Sequence, residues 1–177
     1  NVVETPPFEP KEEVRNFIYV GRFIPCKNLE SLVKAFEKFP DCTLTMVGYG
    51  ELDKKLRSIA PKNVIFTGAV ENAKLPGYYR KNDVFILPSY SETWGVVVEE
   101  ALNNGIPAII SERVGCIGDV VVDGKTGIVF SFGEADGLVR AINSIRDIRL
   151  YDKISRNIRN IDFAGIRAAQ INCYTSK

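Results

Sequence analysis

Two glutamates, Glu92 and Glu100, are separated by seven residues, and between them Gly95 marks the point where a loop is predicted to become a helix. The start of a helix offers unpaired backbone N–H groups and the positive end of the peptide dipole, so it attracts anions. Carboxylates do not hold an anion, but they accept hydrogen bonds from hydroxyl groups on either side of it. The pattern therefore predicts a bound anion flanked by hydroxyl groups, as in a sugar joined through a diphosphate to a ribose.

The helix after Gly95 is predicted to be largely buried, because most of residues 96–102 are apolar. A carboxylate on such a helix is costly unless it has a partner. We expect Glu99 to be the solvated member of the adjacent acidic pair and Glu100 to face the ligand, ~7–8 Å along the helix from Gly95. The competing interpretation is that Glu92 only complements the helix dipole and Glu100 is a solvated helical residue.

Two cations are predicted to lie near these acids. Arg22 follows Gly21, and Lys27 stands at the entrance of the next predicted helix. A planar guanidinium and a compact ammonium group can together clamp a diphosphate, whereas the competing interpretation is two solvated surface cations. The pair Gly48 and Gly50 resembles part of a dinucleotide-binding fingerprint, but the third glycine is missing and a simple turn explains the pair as well.

Short apolar runs alternate with helical patterns along residues 16–145. Runs without polar alternation are typical of strands covered by helices on both faces. The predicted class is α/β, a doubly wound, mostly parallel sheet of about six strands with a helical C-terminal end. Strands are predicted at residues 16–20, 43–47, 64–66, 84–87, 108–110 and 127–130. Helices are predicted after Asn28 as N-cap, at about 51–59, 73–81 and 95–104, and from 134 onward, where Ala135, Leu138, Val139, Ile142 and Ile145 share one face.

Ligands of such sheets bind beyond the carboxyl ends of the strands. The predicted strand ends lie at Gly21, Gly48, Gly68 and Pro88. One rim of the sheet is therefore expected to carry Arg22, Lys27 and the loop of Glu92.

The composition of the chain limits the classes of partner and site that it can have. A chain of 177 residues can hold one domain with its own core, here residues 16–177, and the proline-containing residues 1–15 are predicted to be a linker or an extended lead-in. The net charge of +1 argues against nucleic acid as a partner. The chain has no histidine, the commonest general base and metal ligand. Its scattered cysteines favour a reduced, cytoplasmic setting over disulfides or zinc.

These segments resemble the C-terminal half of glycosyltransferase family 4, the glycogen-synthase-like retaining enzymes of GT-B fold. The order and spacing hold from about residue 16 to 145. The matching segments are residues 20–22 with Lys27, 47–50, 83–89, 92–100, 101–107 and 123–127. Residues 1–4 are similar to the end of the interdomain linker in such enzymes, and the resemblance implies that residues 1–15 are the remnant of that linker. Trp94 stands where the family often has phenylalanine, and Asp119 where it often has glutamate.

The resemblance implies a nucleotide-sugar-binding domain that takes part in hexose transfer with retention, without a metal or other cofactor. Arg22 and Lys27 would hold the donor diphosphate and Glu92 the sugar hydroxyl groups, so these three are the expected catalytic residues. Glu100 would bind the ribose. The other implied donor-binding residues are Gly21, Gly48, Gly50, Gly68, Val70, Gly95, Val96 and Val97. The absence of an Asp-x-Asp sequence agrees with metal independence.

The resemblance also implies a separate N-terminal acceptor-binding domain, through which any contact with the inner face of the membrane would be made. GDP-mannose is the expected donor by general likeness, with a glucose donor second. Three other functions stay open: a stand-alone nucleotide-sugar sensor, a GT-B phosphorylase or epimerase, and a nicotinamide-dependent oxidoreductase. The incomplete glycine fingerprint argues against the last of these.

Overall fold

The computed structural model describes residues 5–134, 136–166 and 168, along which strands and helices alternate. The strands are β1 (Asn16–Val20), β2 (Thr43–Val47), β3 (Val64–Gly68), β4 (Val84–Leu87), β5 (Ala108–Ser111) and β6 (Gly127–Phe130). The α-helices are α1 (Leu29–Ala35), α2 (Asp53–Ile59), α3 (Leu75–Arg80), α4 (Val96–Asn103), α5 (Gly137–Ile145) and α6 (Ile148–Ile158). All six strands fall where the sequence predicts them.

The strands form one sheet in the order β3-β2-β1-β4-β5-β6, and every neighbouring pair is parallel. This confirms the predicted doubly wound α/β fold. The chain builds outward from β1 to β3, returns to pair β4 with β1, and then builds outward on the other side. At such a switch point a crevice opens beyond the carboxyl ends of the two central strands. The loops after β1 and β4 therefore lie side by side.

The core consists of the sheet and the faces of the helices that cover it. Every residue of β4 and β5 is buried, as expected for strands covered on both sides. The predicted apolar stripe of α1 is buried at Leu29, Leu32 and Val33. The face of α5 is buried at Leu138 and Ile142, whereas Ala135 lies outside the described residues.

Some boundaries differ from the sequence-based prediction. The pattern at 73–81 is split into a 3-10 turn, Asn72–Lys74, and α3. Asn28 does occupy the N-cap position of α1, but its side chain makes no capping hydrogen bond. The reason is that the chain enters α1 directly from a 3-10 turn at Pro25–Lys27, which leaves Asn28 in a left-handed conformation with φ of 54°.

Residues 5–15 lie against the domain. The buried carboxylate of Asp83 accepts hydrogen bonds from the backbone N–H groups of Arg15 (2.9 Å) and Asn16 (2.7 Å). Near the end of α6, Arg159 donates to two backbone carbonyls of the same segment. The predicted linker role of residues 1–15 stays a prediction, and residues 1–4 are outside the described part. None of the helices in the described residues has the length and apolar character needed to span a bilayer.

Candidate functional site

The turn after β1 presents a cation at the carboxyl end of the sheet. The hydroxyl group of buried Tyr19 donates to the backbone carbonyl of Arg22 at 2.9 Å and holds the turn in place. Burial raises the pKa of Tyr19 above its usual value, and nearby Cys26 and Glu92 raise it further, so the phenol stays protonated and remains a donor. The side chain of Arg22 is exposed and forms no ion pair with any residue that the structure describes.

The second cation is already paired. Lys27 forms an ion pair with Glu92, and their side chains are 17% and 20% exposed. The backbone N–H of Tyr90 donates to the carbonyl of Cys26 at 2.8 Å, which fixes the loop after β4 beside the turn after β1. Lys27, which is predicted to bind the phosphates, is thus paired directly with Glu92, which is predicted to bind the sugar. The sequence did not indicate this contact.

The loop of residues 88–95 is held from its other side by the chain after β5. The carbonyl of Glu92 accepts from the N–H of Gly115 at 2.9 Å, and the carbonyl of Trp94 accepts from the N–H of Cys116 at 3.1 Å. The two chains are so close that a Cβ atom at Gly115 would lie 1.9 Å from a carbonyl oxygen of this loop. The position of Glu92 is therefore set by backbone contacts on both sides.

The start of α4 is open. Gly95 is its N-cap residue and has φ of 94°, a conformation that glycine adopts without strain. No side chain caps the helix, and the N–H groups of Val96 and Val97 belong to the first turn, which has no intrahelical acceptors. The side chain of Val96 is 62% exposed. The predicted anion-attracting helix start is present at the switch point of the sheet.

The burial of the two adjacent glutamates of α4, Glu99 and Glu100, differs in part from the prediction. Glu99 is 3% exposed and accepts a hydrogen bond from the indole N–H of Trp94. The prediction that Glu99 is the solvated member was wrong: position 99 faces the interior, where the indole N–H of Trp94 supplies a donor for the carboxylate. Glu100 is half-buried, and its carboxylate accepts from the hydroxyl of Tyr79 at 3.1 Å. The contact between Tyr79 and Glu100 was not predicted from the sequence.

Glycines at the other strand ends allow their loops to pack together. The N–H of Gly21 donates to the carbonyl of Val47 at 3.0 Å, and the N–H of Gly48 donates to Gly68 at 2.9 Å. A Cβ atom at Gly48 would lie 1.9 Å from the carbonyl oxygen of Gly21, so only glycine fits there. Gly50 is similarly close to the backbone of Phe23. These contacts give the glycines a structural role whether or not they also face a ligand.

Beyond β3 the rim is more open. A Cβ atom at Gly68 would meet no other atom within 4 Å, and Val70 is half-buried against the core. Both residues thus leave room for a ligand at the edge of the rim.

The predicted site residues at the carboxyl end of the sheet lie on an open surface and not in an enclosed cavity. A cavity of about 620 Å³ lies between β6 and α5 and contains none of the predicted site residues. A groove of about 470 Å³ begins at Asn28 and Tyr90, next to the Lys27–Glu92 pair. Among residues 5–134, 136–166 and 168, no group of three or more acidic or cysteine side chains is arranged to hold a metal ion.

A family comparison identifies the chain. Residues 4–161 match the family model described as glycosyl transferases group 1. The chain belongs to the glycosyltransferase group 1 family. Its relatives include sulfoquinovosyl transferase SQD2 of Arabidopsis thaliana, which is 33% identical over 80% of this chain and 28% of its own length. A GDP-mannose-dependent alpha-mannosyltransferase of Mycolicibacterium smegmatis is 33% identical over 70% of this chain and 32% of its own length.

Solved structures of other proteins share the fold. HepE of Anabaena, in complex with UDP and glucose, superposes with a TM-score of 0.77 over 92% of this chain and 49% of its own, at 22% identity. Sucrose-phosphate synthase of Thermosynechococcus elongatus superposes with a TM-score of 0.77 over 95% of this chain and 46% of its own, at 27% identity. The chain spans less than two fifths of the length of the two curated relatives above and about half of these two structures.

Proposed function

We propose that this chain is the donor-binding domain of a retaining, family 4 glycosyltransferase. The observation that carries the proposal is the open start of α4, which lies at the switch point of the sheet with Glu92 and Glu100 on either side. Membership of the glycosyltransferase group 1 family supports it. Structures of HepE, which has the same fold, contain UDP and glucose or UDP-glucose, and UDP-glucose has the predicted arrangement of sugar, diphosphate and ribose.

Each group at the rim has a part in this proposal. The diphosphate lies at the start of α4 and is held by Arg22 and Lys27 together with backbone N–H groups. Glu92 accepts from hydroxyl groups of the sugar, and Glu100 from those of the ribose. The base lies along the open edge at Gly68 and Val70. The backbone groups proposed to border the donor are those of Gly21, Gly48, Gly50, Gly95, Val96 and Val97.

Because Lys27 and Glu92 form an ion pair, the donor diphosphate contacts Lys27 before the donor sugar contacts Glu92. Among the described residues each of these side chains is paired with the other. A diphosphate carries more charge than one carboxylate, so it draws the ammonium group of Lys27 toward itself. Glu92 is then released next to the place where the sugar lies. The phosphate end of the donor therefore prepares the protein for the sugar end.

Catalysis rests on stabilising the departing diphosphate. Charge accumulates on that group as its bond to the sugar breaks, and preorganised donors at that position lower the barrier. Arg22, Lys27 and the N–H groups of α4 supply such stabilisation without a metal ion. The acceptor is held by a second domain of the whole protein, on the cytoplasmic side of any membrane involved. The proposal assigns this chain the donor half of the reaction.

The proposed donor is GDP-mannose. Two relatives, 28% and 33% identical, are named as GDP-mannose-dependent enzymes. UDP-glucose is the second candidate because the HepE complexes contain UDP, glucose or UDP-glucose.

Calorimetric titration tests the proposal. The chain is titrated with GDP, UDP and ADP and with GDP-mannose, UDP-glucose and ADP-glucose, alongside the variant Glu100→Ala. We expect one diphosphate series to bind, and Glu100→Ala to weaken it tenfold or more, since a hydrogen bond to a charged group contributes about 1.5–3 kcal/mol. Glu37→Ala, at an exposed residue just after α1, is the matched control and should bind normally. Binding of a nicotinamide dinucleotide in place of all six ligands would overturn the proposal.

A further inference from the structure

Tyr79 occupies a position that the proposed function leaves unexplained. Its ring is 1% exposed and packs edge-on against Phe85 of β4, with ring centroids 6.1 Å apart. From this position its hydroxyl group reaches across from α3 to Oε2 of Glu100 on α4 at 3.1 Å. Packing fixes the ring, so the phenol is a rigid donor aimed at one oxygen of a half-buried carboxylate.

The contact leaves the other carboxylate oxygen of Glu100 available. No further hydrogen bond or ion pair of this side chain occurs within the described residues. An ionised carboxylate can accept about four hydrogen bonds, so considerable capacity remains. Glu100 lies one turn into α4, on the side of the rim where the proposed ribose lies.

Tyr79 keeps its proton under ordinary conditions. Burial raises the pKa of its phenol, and the charge of Glu100 raises it further, so the hydroxyl group donates throughout the neutral and mildly alkaline range. A free glutamate side chain would have to be ordered when a ligand binds, at a cost in rotamer entropy. The bond from Tyr79 reduces that cost in advance.

We propose that Tyr79 is a positioning residue for ribose recognition: it holds Oε2 of Glu100 so that Oε1 accepts a ribose hydroxyl group of the donor. This rests on the proposed function, which gives Glu100 its ligand. The selectivity of the chain for a ribonucleotide over a deoxyribonucleotide then depends on a side chain that never touches the ligand. Tyr79→Phe removes the hydroxyl group and keeps the ring, which makes it a conservative probe.

The test compares GDP with 2′-deoxy-GDP and 3′-deoxy-GDP, or the matching uridine series if UDP binds more tightly to the unmodified chain. We expect Tyr79→Phe to weaken binding of the ribonucleotide about threefold to tenfold. Binding of whichever deoxynucleotide lacks the hydroxyl group used by Glu100 should change less than twofold. Tyr78→Phe, its half-buried neighbour in α3, is the matched control and should change neither affinity.

The outcomes separate this inference from the proposed function. Equal losses for ribo- and both deoxynucleotides would mean that Tyr79 only supports the fold, and an unchanged ribonucleotide affinity would remove its role altogether. Glu100→Gln is measured in the same series. If Glu100→Gln weakens ribonucleotide binding but Tyr79→Phe does not, only the positioning role fails. If neither variant has an effect, the ribose-binding role of Glu100 in the proposed function fails as well.

Discussion

Two lysine–carboxylate pairs lie near the two ends of β4, and they are built differently. Lys11 pairs with Asp83, just before the strand, and Lys27 pairs with Glu92, in the loop that follows it. Each pair joins segments more than sixty residues apart in sequence. The side chain of Asp83 is 4% exposed and also accepts from two backbone N–H groups, whereas Glu92 is 20% exposed and its carboxylate is bonded to Lys27 alone among the described residues.

The difference shows how a structural ion pair can be told from one available to a ligand. A carboxylate whose acceptor sites are filled by the protein and shielded from water has nothing left to offer a ligand. Glu92 retains unused acceptor sites at a rim that is open to solvent, beside an uncapped helix start. We infer that Asp83 contributes to stability and Glu92 to binding. Both inferences can be measured.

The largest effect is expected at Asp83. Asp83→Ala leaves two backbone N–H groups without their acceptor, and an unsatisfied donor costs about 1–3 kcal/mol for each group, whereas the side chain of Lys11 is 36% exposed and can turn toward water. The free energy of unfolding, measured by urea denaturation, should fall accordingly. Glu92→Ala should lower it less, because the carboxylate of Glu92 is bonded to Lys27 alone among the described residues and no backbone N–H group loses an acceptor. Equal losses of stability from the two variants would contradict the comparison.

The next largest effect is expected for ligand binding at the cations of the rim. Arg22→Ala and Lys27→Ala should each weaken binding of the nucleoside diphosphate tenfold or more, because each removes a charged hydrogen bond worth about 1.5–3 kcal/mol. Lys34→Ala, at an exposed lysine in the last turn of α1, is the control and should bind normally. Calorimetry provides the affinities. Unchanged binding in both cation variants would remove the diphosphate clamp.

Features encoded by neighbouring residues were predicted from the sequence, whereas contacts between distant segments were not. The strands were placed from the sequence because short apolar runs bounded by glycine or proline are local features. The helix start at Gly95 and the positions of Arg22 and Lys27 after β1 were predicted for the same reason. The partners were not found: the pairs Lys27–Glu92 and Tyr79–Glu100 depend on which strands are neighbours, and no local pattern encodes the strand order.

The error at Glu99 has a more specific cause. Apolar composition indicated that α4 is buried, but not which of two adjacent acids faces inward. That depends on the angle at which the chain leaves Gly95 and on the indole of Trp94, which provides a donor for a buried carboxylate. The sequence indicates the period of the helix but not which of its faces is directed inward. One residue of phase rotates a side chain by about 100° on a helix of 3.6 residues per turn.

The smallest effect is also the most selective, and it concerns Glu92 itself. Glu92→Gln keeps the length of the side chain but removes its charge, so Lys27 loses its partner in the unliganded chain. The nucleoside diphosphate without a sugar should then bind as well as before or slightly better, because Lys27 no longer has to leave a carboxylate. The nucleotide-sugar should bind about threefold to tenfold more weakly, since a charged acceptor for its hydroxyl groups is lost. Parallel calorimetric titrations with the diphosphate and its sugar give both values, and an equal change in the two would mean that Glu92 acts on the phosphates and not on the sugar.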